Sequence, residues 1–517
     1  MAKKSGKSSS GSGKAPAEGA GSAQPAQPAS NAAPPTRGTP RASVPRRPNV
    51  ARGEGAVGSQ AQNFPPPPPT AQAAAAGRRI ILFQSGAADA GVKLLRDKAG
   101  LRMASTADAK TGALSAAEVR EAGGVYLHKL GVAVVAGETN QFRMAAAAAS
   151  GGEVASVSPV RVVYALANWY RRASAGVGAG GGSGVASQSG DYLRGYRDGV
   201  VSMVDRVGAA PAPVAEARVS AGTLAGDAFA DDDQATWGLN ATGVLTTRFS
   251  GAGVRVAVLD TGVAPNHPDL AGRHPPEQVK SFVPDVGSVN DGNGHGTHCI
   301  GTSCGTMQPT QAVPRYGVAH GAQLYVGKVL HDEGWGLDEW FVQALNWAVN
   351  NQVRVVSFSI GGEPGATHDR TFELIARRVL DAGTLIVAAA GNESARSRGR
   401  VRPVDHPADC PSIMSVAALQ PDLSVADFSN RGVRSDGGQI DIAAPGVDVF
   451  SSGPPDGYFY ESGTSMATPH VAGIAAMYFE ARPDLNARGI WSILMQEAQR
   501  LETPSSDVGA GLVRAPT

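Results

Sequence analysis

Three polar residues stand where chemistry could be done: Ser465 in "GTSMATPHVAG", His295 in "DGNGHGTHCIGT" and Asp260 at the end of "RVAVLD". A serine hydroxyl is a poor nucleophile at neutral pH. It needs an imidazole to take its proton and a carboxylate to orient that imidazole and stabilise its cation. Proline is tolerated at a helix start and costly in its interior, so Pro469 predicts a helix beginning close to Ser465. Unpaired backbone N–H groups and the positive end of the helix dipole converge there, which suits an oxyanion. Asn392 closes "TLIVAAAGN", where its carboxamide could join the Ser465 N–H as a second oxyanion donor. Each residue alone has a plainer reading: Ser465 as an N-cap, Asp260 as a strand-end cap, His295 as a surface histidine, Asn392 as a turn former. Together they are the parts of an acyl-transfer site.

Residues 227–517 alternate short apolar runs ("GVRVAVLDTG", "AQLYVGKVL", "VRVVSFSIGG", "GTLIVAAAGN", "PSIMSVAAL", "IDIAAPG") with helical patterns such as "LDEWFVQALNWAVNN". Continuous apolar strands imply a sheet covered on both faces, hence an α/β fold with a parallel sheet sandwiched by helices. In such folds, sites gather where strands end. Ahead of it, 78–166 reads strand, helix, strand, strand, helix, strand, the plan of a small ferredoxin-like α+β domain. Residues 1–77 are an Ala/Pro/Gly/Ser-rich basic tail expected to be disordered, and 167–226 a Gly-rich linker with a short helix near 191–206.

A net charge of +1 gives no reason to expect a nucleic-acid partner, and the basic tail reads as a solvated one. The opening "MAKKSGKSSSGSGK" runs on into polar sequence, unlike a secretory leader, so a cytoplasmic location is expected, with leaderless export as the alternative. No run of about twenty apolar residues supplies a membrane span. Three cysteines (Cys299, Cys304, Cys410) are too few for a disulfide framework, and their mutual spacing is not that of a zinc site.

The segments "VAVLDTGV", "HGTHCIGT", "SFSIGG", "AAAGNE" and "GTSMATPHVAG", in that order, closely resemble the subtilisin-like serine proteases, and "HGTHC" is similar to their proteinase K-like branch. The resemblance runs from Trp237 to "GAGLVRA" near the C-terminus. It implies a serine endopeptidase with Asp260 as orienting acid, His295 as base and then acid, Ser465 as nucleophile and Asn392 as oxyanion donor. His298 and His470 match family histidines that are not catalytic. Substrate would pair as a β-strand between Ser359, Ile360 and Gly361 on one side and Gly334 and Gly336 on the other, so the partner is an extended polypeptide. Ala390, Gly391, Glu393 and Asp405 would form the primary specificity pocket, with Asp338 beside the pocket three residues upstream. These acids imply a preference for Arg or Lys before the scissile bond; the alternative is a broad hydrophobic preference, if Arg396, Arg398, Arg400 or Arg402 neutralises Asp405 or inverts the preference. The chemistry needs no cofactor. Asp269 matches a structural calcium ligand of the family, although "MQPTQAVPRYG" departs from the usual calcium loop. Residues 78–166 would be a propeptide-like inhibitor, making the chain a self-inhibited zymogen. About seventy residues separate "VVYAL" from "TWGLN", which leaves the maturation cut open. The alternatives are a peptide ligase or macrocyclase using the same triad, and an assembly or targeting protein.

Overall fold

The computed structural model describes residues 66–109, 113–137, 140–141, 152–166, 168–173, 228–284 and 286–517. The expected tail up to residue 65, the Ala-rich helix over 138–150 and the linker helix at 191–206 fall outside the described residues, apart from residues 140–141.

The N-terminal region contains helices α1 (Pro69–Ala75), α2 (Ala88–Ala99) and α3 (Ala116–Ala122) and strands β1 (Arg78–Phe83), β2 (Ala104–Ser105), β3 (Gly124–Leu127), β4 (Val132–Ala136) and β5 (Val154–Pro159). The sheet order is β2-β3-β4-β1-β5. β1 lies antiparallel between β4 and β5, which is the ferredoxin-like arrangement with β2 added at one edge. Two elements depart from expectation. Helix α1 lies inside the segment expected to be disordered; Pro69 pre-sets the first helical turn and Ala71 is fully buried, so packing fixes what composition alone would leave loose. The chain then continues as β6 (Val162–Ala165) and β7 (Asn168–Ala173), so the first residues of the expected linker form a strand.

The large domain follows as α4 (Trp237–Thr242), β8 (Arg255–Asp260), β9 (Val279–Ser281), α5 (His295–Cys304), β10 (Gln323–Lys328), β11 (Trp335–Leu337), α6 (Asp338–Asn350), β12 (Val355–Phe358), β13 (Ile360–Gly361) and α7 (Arg370–Asp381). It closes with β14 (Leu385–Ala389), β15 (Met414–Leu419), β16 (Ile442–Pro445), β17 (Val449–Gly453), β18 (Gly457–Ser462), α8 (Thr464–Ala481), α9 (Ala487–Gln496) and α10 (Ser505–Val508). Seven strands, ordered β16-β15-β14-β12-β8-β10-β9, pair in parallel throughout. β12, β14 and β15 are buried along their whole length because helices cover both faces. One face carries Trp340, Phe341, Trp347 and Ile375; the other carries Ile300, Val471 and Ile474. α8 is apolar around nearly its full circumference and runs through the interior, as such a helix must.

The N-terminal sheet sits on α6 and α7. Ile80, Leu82, Val132 and Val134 share one apolar core with Trp340 and Phe341. Around that core, Arg78 Nε pairs with Glu339 Oε2 at 2.7 Å, Lys129 N donates to Asn346 Oδ1 at 3.1 Å, and the Arg378 guanidinium donates to the carbonyls of Phe83 and Leu130, each at 2.5 Å. β6 then leaves this sheet and lies antiparallel between β11 and β13, while β7 pairs antiparallel with β18 of the β17–β18 hairpin. Among the described residues, no helix is long and apolar enough to cross a membrane.

Candidate active site

β8 ends at Asp260, whose Oδ1 accepts from Thr261 N and from His295 Nδ1, both at 2.7 Å. His295 opens α5 after Gly294, which takes a φ of 104° that favours glycine. Burial opposes charge on the His295 ring, but the Asp260 carboxylate outweighs it and holds the imidazole well above its ordinary value. Asp291 fixes this corner. Its Oδ1 accepts from Thr261 Oγ1, Asn293 N and Gly294 N, and its Oδ2 from Thr297 N and Oγ1, over 2.6–3.0 Å. Asp291 escaped the reading of the sequence, although an acid four residues before a helix-opening histidine was the available signal.

Ser465 is the second residue of α8 and is fully buried. Pro469 lies inside the helix, five residues past its first residue, rather than at its start. It has no N–H to donate to the Ser465 carbonyl four residues earlier. That carbonyl instead accepts from Ser359 Oγ at 2.8 Å and from Cys299 Sγ at 3.6 Å, so Ser359 and α5 together hold the helix start. Ser465 Oγ donates to Ser359 O at 3.1 Å, and His295 Nε2 is buried without a hydrogen-bond partner.

Asn392 is oriented by Thr464, whose N and Oγ1 both donate to Asn392 Oδ1 at 2.9 Å. This turns Asn392 Nδ2 outward, where it donates to Leu166 O at 2.9 Å. Leu166 N in turn donates to Ser359 O at 3.3 Å, and Ala165 N to Gly334 O at 2.9 Å. Along β6, Tyr164 faces Gly361 and Trp335, Ala165 faces Ile360, and Val163 faces Gly336. The two rails expected from the sequence are therefore both occupied, by the chain's own segment.

The expected pocket residues come together around Leu166. A Cβ on Gly361 would lie 2.6 Å from Leu166 Cδ1 and 3.1 Å from Asp405 Oδ2, and one on Gly391 would lie 2.3 Å from Asp405 Oδ2. Ala390 O anchors Asp405 N at 3.0 Å. Burial, then the neighbouring Glu393, push the Asp405 carboxyl well above the usual range, and burial also raises Glu393. Asn430, which sequence reasoning missed, donates from Nδ2 to Glu393 Oε2 at 2.7 Å and to Asp405 Oδ1 at 3.2 Å, and the Asp405 and Glu393 carboxyls are themselves hydrogen-bonded. Asp338 grips the main chain of Arg161, its Oδ1 accepting from Arg161 N at 3.0 Å, so it holds the entering strand. Arg396 is drawn away from the pocket by Asp507, whereas Arg402, which pairs with Glu363 at 3.7 Å, also lies close enough to Asp405 to offset part of the rise in its carboxyl.

Asp269 does not suit a calcium ion. Its Oδ1 accepts from Thr310 N at 2.7 Å and its Oδ2 from the hydroxyls of Tyr316 at 2.6 Å and Tyr458 at 2.8 Å, so hydrogen-bond donors fill the places a cation would need.

A seven-stranded parallel sheet carrying an Asp-His pair at two strand-to-helix corners, and a serine at the head of a buried helix, defines a serine hydrolase of the α/β class. The family model described as the subtilase family, peptidase S8, matches residues 251–511, and the chain belongs to that family. Over 267 residues it is 40% identical to a thermostable alkaline protease of Halalkalibacterium halodurans, covering 51% of this chain and 67% of that protein. Over 283 residues it is 38% identical to subtilisin BL of Lederbergia lenta, covering 54% and 96%. Subtilisin E of Bacillus subtilis is 37% identical over 236 residues, covering 46% and 58%. The protein is a subtilisin-like serine endopeptidase acting on polypeptide substrates.

Proposed function

We propose that the chain is a self-inhibited zymogen that cuts itself between Leu166 and Ala167 and then hydrolyses extended segments of other polypeptides through an acyl-enzyme. The observation that carries this reading is the Leu166 carbonyl, which accepts from Asn392 Nδ2 while Leu166 N rests on Ser359 O, beside Ser465. Rotation of Ser465 about its Cα–Cβ bond releases Ser359 O and offers the Oγ proton to His295 Nε2. Oγ then bonds to the Leu166 carbonyl carbon, and the resulting oxyanion is held by Asn392 Nδ2 and the Ser465 N–H. Collapse breaks the C–N bond, and His295 passes its proton to the amine of Ala167. Water, deprotonated by His295, repeats the sequence on the ester and frees Ser465. Asp260 keeps the Nδ1 proton in place and stabilises the imidazolium without taking the proton itself.

The test is to map new chain ends in the purified protein and in its Ser465→Ala form. The expected result is a C-terminus at Leu166 and an N-terminus at Ala167 in the first only. Ends elsewhere in the first protein, with none at this bond, overturn the cut position; identical ends in both overturn self-cleavage.

A further inference from the structure

We infer that His406, Asp409 and Cys410 form a binding site for one thiophilic divalent cation of the zinc class, behind the floor of the specificity pocket. One ligand atom from each residue lies within 4.8 Å of the other two, and all three residues are buried. His406 Nδ1 is 3.5 Å from Asp409 Oδ1, and Cys410 Sγ is 3.8 Å from the same oxygen. A tetrahedral zinc with bonds of about 2.0 Å to nitrogen and oxygen and about 2.3 Å to sulfur puts its ligand atoms about 3.3–3.5 Å apart. Both separations to Asp409 Oδ1 lie within a few tenths of an ångström of these values. At 3.5 Å the His406–Asp409 contact is too long for a good hydrogen bond, so the imidazole is not satisfied within the cluster, although the Cys410 thiol donates to Asp409 Oδ1.

The independent observation is the histidine. His406 is 1% exposed, yet neither of its ring nitrogens has a hydrogen-bond partner. A buried imidazole with two idle nitrogens loses the hydration of both and regains nothing, a cost that a ligand would recover. Its ring is steered by Phe372, edge to face at 4.9 Å between centroids. Asp409 has the outer partner a metal-bound carboxylate usually has: Arg434 donates to its other oxygen at 3.3 Å. Binding would break the Cys410 S–H bond, release that proton to solvent and leave sulfur bonded to the cation.

The three ligands come from one short turn. Asp409 N donates to Asp405 O at 2.9 Å and Cys410 N to Pro407 O at 3.0 Å, which brings positions 406, 409 and 410 to one side. His406 also exchanges main-chain hydrogen bonds with Gly362, just beyond the substrate strand β13. A cation here would therefore brace the loop that carries Asp405. Spacing between cysteines does not reveal this site, because only one ligand is a cysteine. The other buried Asp-His-Cys group among the described residues, Asp260 with His295 and Cys299, is part of the catalytic corner already described.

The test is titration of the full-length Ser465→Ala chain with Co²⁺ at neutral pH under a reductant that does not bind metals. The expected result is one Co²⁺ per chain, with a thiolate-to-cobalt charge-transfer band and the visible bands of four-coordinate cobalt, displaced by one equivalent of Zn²⁺. Cys410→Ser should abolish the charge-transfer band, and His406→Gln should weaken affinity at least tenfold. Near-ultraviolet circular dichroism verifies that each variant is folded. Should a variant not fold, the unmodified chain still decides the matter, through the presence or absence of the band. No thiolate band at millimolar cobalt, or a band that survives Cys410→Ser and disappears in Cys299→Ser, overturns the proposal.

Discussion

The oxyanion corner shows how one side chain is aimed. Thr464 holds Asn392 Oδ1 with two donors, which leaves only the Nδ2 face for substrate. Asn392→Ala should therefore lower kcat by about 100-fold or more with little change in KM, a magnitude established on a subtilisin; steady-state kinetics on a peptide substrate measures it, and an unchanged kcat removes Asn392 from the mechanism. Asp405 is buried beside Leu166 and Glu393, so an apolar side chain in this pocket leaves two neighbouring acids with no cation to match them. Substrates with Arg or Lys before the scissile bond should be cut about 10- to 100-fold faster than those with Leu, and Asp405→Asn should remove the difference. A peptide library cut after Leu as readily as after Arg sinks this expectation. His470 supplies a pH effect of known sign. It is buried, its Nδ1 pairs with Met466 O at 2.8 Å, and burial pushes its pKa down to about 4. Below pH about 6.5 the unfolded chain binds a proton that the folded chain refuses, so this residue's contribution is present above 6.5 and is lost as pH falls toward 4. In the Ser465→Ala background, the stability gap between the parent and a His470→Gln variant should shrink by about 2 kcal/mol between pH 7 and pH 4.5 in urea melts. A gap independent of pH would exclude the histidine as its source.

At the scale of elements, two short strands and a proline do unexpected work. β6 completes a three-stranded sheet with β11 and β13 that neither rail could form alone. Val163 in its middle is 1% exposed, in van der Waals range of the space above Gly362. Val163→Asp would bury an unpaired carboxylate and should weaken the seat of this strand by about 3 kcal/mol, roughly 100-fold. In the Ser465→Ala chain this should read out as a similar rise in the rate at which an added protease cuts within 160–166. Equal rates in both chains would mean that the strand is not held by this contact. Pro469 works through α8 in the opposite way: by withholding a donor it frees the Ser465 carbonyl to accept from Ser359 and Cys299, so a helix defect becomes an anchor for the nucleophile.

For the whole molecule, the N-terminal region is part of the core. Its β-strands share apolar contacts with α6 and α7, and Arg378 alone serves two of its carbonyls. Removing residues 66–166 would break the Arg78–Glu339 pair and expose to water the apolar residues of α6 and α7 that the N-terminal sheet covers. A Ser465→Ala fragment beginning at residue 167 should therefore refold to a compact state with helical far-ultraviolet but weak near-ultraviolet dichroism and exposed apolar surface. If it regains fixed tertiary signals as fast as the full chain, the N-terminal region is dispensable for folding.

The sequence by itself determined the parallel sheet and the family, and it singled out Asp260 at a strand end, Asn392 just past one, and His295 and Ser465 at helix starts. Continuous apolar runs and local turn chemistry are short-range signals, and each of Asp260, His295, Asn392 and Ser465 follows one directly. The tertiary structure decided what no local pattern encodes. Leu166, more than two hundred residues from Asn392, is delivered to it by strand pairing. Asn430 and Asp291 became organisers because their amide and carboxylate meet buried groups from distant segments. Asp338 serves as a clasp, because its neighbour in space is the backbone of Arg161. Burial and hydrogen-bond partnership depend on chain packing at a distance, and propensity and spacing carry no record of it.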